Sequence, residues 1–291
     1  MNTSKKIILV PTDFSEQSRI ALQHAIDIAK KTGGEVHLLH VMEESGILEN
    51  LFSSDDNDKK DQELWKKLTM LTNEFDPSNR NVTTTLLAKG KIEEEIVKVS
   101  ELIGANIIVM GTSGAETFAK RLVGSNAIKV IRESRIPVIT LKGSPKRENY
   151  ETIVLPLDLT KETREKVSKA INLARNFDAE IKVVSILLSD DEDVKMRLKT
   201  LLNQVTTFIV GAGIKCTSDF KIAKNEDLGE EVIKYATEVD ADLIMIMTQQ
   251  ETNLKERFIG SAAQEIINNA AIPVCSVIPT VKKDLTVFHP Y

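Results

Sequence analysis

Apolar residues along this chain fall into two alternating patterns. Short runs rich in Ile, Val and Leu lie at 6–10, 36–42, 82–88, 106–110 and 137–141. Between them apolar side chains recur at roughly 3.6-residue spacing: Ile20, Leu22, Ala25, Ile26 and Ala29, then Leu64, Leu68 and Leu71, then Ile92, Ile96, Val99 and Leu102, then Ala127, Ile128, Val130 and Ile131. The first pattern predicts buried strands and the second amphipathic helices. Strand and helix in strict alternation predict a parallel sheet with helices on both faces. The same order recurs in the second half, with strands expected at 152–155, 180–187, 214–222, 242–247 and 273–278.

The recurrence extends to the residues themselves. Positions 8–41 (ILVPTDFSEQSRIALQHAIDIAKKTGGEVHLLHV) are echoed by 153–186, and 102–140 by 238–276. Such self-similarity implies one fold used twice. We expect an α/β protein of two tandem Rossmann-like, doubly wound, five-stranded parallel sheets in the order 3-2-1-4-5. The first domain spans 1–142, a polar Gly- and Pro-containing linker 143–150, the second domain 151–279 and a tail 280–291. The offset between the copies falls from 145 at Asp13/Asp158 to 136 at Gly124/Gly260, so the first half carries an insertion. Residues 43–60, polar with Ile47, Leu48, Leu51 and Phe52, are the expected place. They follow the second strand on the ligand side of such a sheet, so they fit a lid as well as a plain surface loop.

Each half closes on an apolar run opened by Ile-Pro, at Ile136-Pro137 and Ile272-Pro273. Pro is tolerated at sheet edges because it has no N–H to donate. Two bare apolar edges would invite aggregation, so we expect them to pair with each other.

In a doubly wound sheet, ligands bind beyond the carboxyl ends of the strands where the winding reverses. That point faces two loops, Pro11-Thr12-Asp13-Phe14-Ser15 and Gly111-Thr112-Ser113-Gly114. Asp13 fits an acceptor for an exocyclic amine and equally a cap for the following helix. Gly111, Gly114, Gly124 and Ser125 form G-x2-G-x9-G-S. Glycines let backbone N–H groups approach a phosphate, and a helix start adds free amides and partial positive charge. Ordinary loop glycines and an ordinary Ser cap are the plainer account. Lys120 and Arg121 fit added charge or a solvated basic pair. The second half reads Met247-Thr248-Gln249-Gln250 where the first has its glycine loop.

Other chemistry is thinly represented. A net charge of -5 leaves no basic footprint, so nucleic acid is not an expected partner. No apolar stretch approaches ~18 residues and no signal peptide is apparent, so a cytoplasmic protein without membrane contact is expected. Cys216 and Cys275 read as buried strand residues, without disulfide or zinc spacing. His24, His37 and His40 lack the spacing of a metal site. The acidic runs 55–58 and 190–193 are placed to open helices. There is no G-x-x-x-x-G-K-[ST], and the first strand is not followed by G-x-G-x-x-G. No nucleophile, base and orienting acid come together, so no catalytic residue is assigned.

VPTDFSEQSRIALQHAIDIAK, HLLHV, IIVMGTSG, LVGSNAIKVI and IPVITL together resemble the universal stress protein (UspA) family, over nearly the whole chain. The G-x2-G-x9-G-S pattern resembles its ATP-binding branch. The resemblance implies that Asp13 and Val41 hold adenine, that Pro11, Thr12 and Met110 shape the base pocket, and that Gly111, Ser113 and Gly114 meet the ribose and α-phosphate. Gly124, Ser125 and Asn126 would meet the outer phosphates of ATP, with or without Mg2+. The implied role is nucleotide-responsive regulation in the stress response, in a chain whose two domains mimic a dimer and which allows a homodimer. Met247 and Gln250 make the second domain a degenerate copy. The competing readings are a nucleotide-independent assembly module and, further off, a slow ATPase or nucleotidyl-transfer enzyme, for which PTDFSEQS lacks a phosphate-grasping loop.

Overall fold

The first apolar run becomes a strand because both of its faces are covered. In β1 (Ile7–Pro11) the side chains of Ile8, Leu9 and Val10 are all buried, the signature of a central parallel strand. The structure, a computed structural model, describes residues 5–43, 54–78, 80–112, 123–144, 149–159, 163–188, 191–223, 227–248 and 259–279. They belong to two compact units, Met1–Val130 and Ile131–Tyr291. Among the described residues no helix is long and apolar enough to cross a membrane.

In the first unit β1 is followed by α1 (Glu16–Thr32), β2 (Glu35–Met42), α2 (Ser54–Phe75), β3 (Val82–Lys89), α3 (Ile92–Leu102), β4 (Ile107–Gly111) and the start of α4 (Ser125–Glu133). The strands run in parallel in the order β3-β2-β1-β4. Each lies within a residue or two of the apolar run that predicted it. Helix α1 is set by its ends. Ser15 caps it, its Oγ accepting from the Ser18 N–H at 3.3 Å, and Gly33 closes it at φ 66°, a left-handed turn that glycine adopts without strain. Leu22, Ala25, Ile26 and Ala29 of the expected stripe are buried, Ala21 joins them, and Ile20 is only half-buried. Burying Leu22 and Ile26 contributes roughly 1.5–3 kcal/mol each. Helix α2 begins at Ser54, so the acidic run 55–58 opens a helix, and residues 54–60 of the expected lid are helical. Residues 44–53, the rest of that segment, lie outside the described residues. One helical expectation fails: Leu102, the last residue of α3, is 81% exposed, because the buried face of that helix carries Ile96 and Ser100 and a position six residues on from Ile96 lies about 120° away from it.

The second unit opens with β5 (Val138–Leu141). It continues through β6 (Thr152–Pro156), α5 (Thr163–Phe177), β7 (Glu180–Leu187), α6 (Glu192–Gly211), β8 (Cys216–Ile222), α7 (Leu228–Glu238), β9 (Leu243–Met247), α8 (Ser261–Asn269) and β10 (Val274–Val277). The strand order is β8-β7-β6-β9-β10-β5. The first five are parallel, which is the order 3-2-1-4-5 in that repeat. β5 is antiparallel to β10, pairing Val274 with Thr140, Cys275 with Ile139 and Ser276 with Val138. The two Ile-Pro strands thus pair as their exposed edges require. The strand that ends the first repeat therefore falls in the second compact unit, so the units and the repeats divide the chain at different places. Asp191 caps α6 through Oδ1, which accepts from the Asp193 and Val194 N–H groups. Cys275 is buried as expected, whereas Cys216, at the start of the outer strand β8, is only half-buried.

Candidate functional site

The corner between β1 and α1 is held by its own polar side chains. Pro11 ends the strand, and the Thr12 N–H extends the ladder by one bond, donating to the Leu39 carbonyl at 2.7 Å. Thr12 Oγ1 accepts from the Phe14 N–H and lies 3.0 Å from Ser18 Oγ, both hydroxyls buried. Asp13 Oδ1 accepts from the Ser15 N–H at 3.0 Å. Of its two candidate roles, capping α1 therefore goes to Ser15. Asp13 holds the cap residue in place while its side chain remains exposed. Phe14 takes φ 64°, a conformation costing a non-glycine residue about 1–2 kcal/mol. Such strain persists where its surroundings enforce it.

Here that surrounding is His40, discounted in the sequence because no ligand spacing accompanied it. Its ring sits 4.7 Å from that of Phe14, centroid to centroid. Its Nδ1 is 2.7 Å from the Thr12 carbonyl oxygen. A carbonyl only accepts, so Nδ1 carries the proton it donates there. His40 precedes Val41, and both lie at the carboxyl end of β2. Position 185 in the second repeat makes the same tie: Ser185 Oγ donates to the Leu157 carbonyl at 3.1 Å. A polar residue recurs at this register in the sequence, as it does at 35/180 and 37/182.

Val41 is buried near the end of β2, and Met110 is buried in the last turn of pleat of β4. Gly111 closes β4 for a reason the sequence did not disclose. A Cβ there would stand 2.8 Å from Gln17 Cβ and 3.0 Å from the Gln17 backbone. Only glycine lets α1 come this close to β4, so helix packing, before any phosphate, demands it. The Gly124 N–H, expected to face a phosphate, instead donates to the Thr112 carbonyl. The amides at the start of α4 therefore come from Ser125 and Asn126, at a helix end where N–H groups lack intrahelical partners. Ser113, Gly114, Lys120 and Arg121 lie outside the described residues. Pro11, Thr12, Asp13, Val41, Met110 and Gly111 all occupy carboxyl ends of three neighbouring strands, and Gly124, Ser125 and Asn126 the start of the helix after the third.

The second repeat reproduces the frame and changes its filling. The Leu157 N–H donates to the Val184 carbonyl as Thr12 does to Leu39, and Gly260 donates to Thr248 as Gly124 does to Thr112. At the end of β9, Met247 presents a fully buried side chain where β4 has Gly111. Gln250 lies outside the described residues. The thiols add no reactive group, since burial pushes Cys275 up to about 12 and Cys216 up to about 11.

The model of the universal stress protein family matches residues 5–142 and 218–277, more than half of the chain and in both repeats. The chain is similar to universal stress protein MJ0577 of Methanocaldococcus jannaschii, 31% identical over 159 residues, which are 49% of this chain and 98% of that protein. Its fold is similar to the crystal structure of a universal stress protein from Archaeoglobus fulgidus DSM 4304, with TM-score 0.69 and 19% identity over 94% of this chain and 96% of that one. A universal stress protein from Archaeoglobus fulgidus solved in complex with dAMP is 24% identical, with TM-score 0.36, over 44% of this chain and 97% of that one.

Proposed function

The chain belongs to the universal stress protein family, and from that premise we propose that its first repeat, residues 1–142, binds an adenine nucleotide as a regulatory signal, with ATP the expected ligand. One observation carries this reading. β4 ends in Gly111, with no side chain at the strand edge, whereas its counterpart β9 ends in the buried side chain of Met247. The side-chain space beside Gly111 is taken by Gln17 of α1, so what the glycine leaves at the strand end is bare backbone, where the second repeat has a side chain. The base lies against Pro11, Thr12, Asp13, Val41 and Met110, and the sugar and first phosphate over Gly111, Ser113 and Gly114. The outer phosphates meet the Ser125 and Asn126 amides, with Gly124 giving clearance by its missing side chain. The family supports the ligand class, since one member is a complex with dAMP. The polar groups after β1 are engaged in holding the corner, which suits binding without turnover.

Two measurements test this. Heat-denatured purified protein is assayed for released adenine nucleotide, and nucleotide-free protein is titrated calorimetrically with ATP. One equivalent per chain is expected. Two equal equivalents would give the second repeat a working site, and no binding at all would remove the reading.

A further inference from the structure

The second repeat holds a buried cation where the first has a methyl group. Over β1, α1 and β2 the repeats keep a constant offset of 145, from Ile7/Thr152 through Thr32/Phe177 to Glu35/Glu180. Ala21 in α1 therefore corresponds to Lys166 in α5. Both are buried, Lys166 to 2% exposure. The Lys166 side chain runs from α5 to the end of β6, where its Nζ donates to the Pro156 carbonyl at 3.3 Å and lies 3.7 Å from an Asp158 carboxylate oxygen. An ammonium taken out of water costs several kcal/mol unless such acceptors surround it. Those acceptors are not arbitrary. Pro156 and Asp158 are the counterparts of Pro11 and Asp13.

We infer that Lys166 is the residue that closes the second corner to ligands: its ammonium engages the carbonyl and carboxylate whose first-repeat counterparts face the base of a bound nucleotide. This rests on the reading of the first repeat given above. The chemical logic is substitution of like for like. A ligand's exocyclic amine offers N–H donors to a carbonyl or carboxylate oxygen, and the lysine offers the same kind of donors from within the chain. Asp13, by contrast, is exposed, and the position of Lys166 is held in the first repeat by Ala21, whose methyl offers no donor. Thr163, the counterpart of Ser18, tightens the closed corner further, its Oγ1 donating to the Asp158 carbonyl at 3.0 Å. Met247 places a buried side chain at the strand end where the first repeat has bare backbone, and Lys166 engages the base side. The two substitutions together leave a unit that keeps the family's backbone frame without its ligand.

The test is the stoichiometry of adenosine, which makes no demand on the phosphate side of the corner. Adenosine is titrated by calorimetry into the full-length wild type and into Lys166→Ala, with Lys166→Met as a second variant that keeps the buried volume should the alanine variant fail to fold. Lys166→Arg retains the charge and is expected to bind as the wild type does. The expected result is one additional equivalent in the Ala or Met variant, two per chain against one. A folded variant whose stoichiometry equals that of the wild type overturns the inference, as does an additional equivalent in Lys166→Arg. A wild type that binds no adenosine speaks against the reading of the first repeat alone, because the inference is decided by the difference between variant and wild type.

Discussion

His24 makes the stability of the first unit depend on pH in a window that can be worked out. It lies in the buried stripe of α1 at 2% exposure. Burial lowers its pKa from 6.5 to about 4, with the Asp27 carboxylate opposing the shift only in part. The sign follows from proton counting. Between those values the unfolded chain binds a proton at His24 and the folded chain does not, so acid favours unfolding there. The contribution is fully present above pH 6.5 and is lost as pH falls towards 4. A shift of this size is worth about 3.4 kcal/mol at its limit and roughly 2.5 kcal/mol at pH 4.5, at 1.36 kcal/mol per unit. The chain's single tryptophan, Trp65, sits on α2 of this unit, so its fluorescence follows the relevant transition. Urea unfolding of the wild type and of His24→Gln is compared at pH 7 and pH 4.5. The wild type should lose about 2.5 kcal/mol more than the variant between the two pH values. Asp76 does not interfere. Burial, which alone would raise its pKa, is outweighed by hydrogen bonds from the Val82 and Asn81 amides and the Ser78 and Asn81 side chains, so it titrates below the ordinary carboxylate range. Equal acid losses in the two proteins would refute the reasoning, because His24 would then titrate as if exposed.

Two further predictions concern packing. Gly111→Ala drives a methyl into Gln17 and should destabilise the first unit by roughly 1–3 kcal/mol in the same Trp65 assay, and an unchanged midpoint would mean that α1 is free to withdraw. Ile139→Lys places an ammonium at a fully buried position opposite Cys275 and should destabilise the second unit by roughly 3–5 kcal/mol, seen as a lowered calorimetric transition, whereas unaltered melting would show that β5 and β10 do not depend on each other.

What could be read from the sequence was whatever repeats locally. β-branched runs located the strands, because a buried parallel strand tolerates little else. The pairing of β5 with β10 was legible through Ile136-Pro137 and Ile272-Pro273, because Pro at the head of an apolar run marks an edge that needs a cover. Ser15 and Asp13 were less separable, since either side chain can reach a helix start and only the geometry assigns the cap to Ser15. The reason for Gly111 was hidden in a contact with Gln17, distant in sequence and made by another element. His40 was missed because its partner is a carbonyl, which every residue possesses. Lys166 was passed over because a lysine in a helix is ordinarily solvated, and burial cannot be seen in an identity.

The place of β5 has a consequence for how such a gene can be divided. The two repeats meet between β5 and β6, but β5 lies before that seam and completes the sheet that lies after it. A fragment cut at the seam would expose one long side of Val274–Val277, a bare apolar template for any other strand. A cut ahead of Ile136 keeps that side covered. The fusion of the two copies thus works as a ratchet: once the last strand of one copy had become part of the other's architecture, scission at the boundary of inheritance ceased to yield a self-sufficient piece.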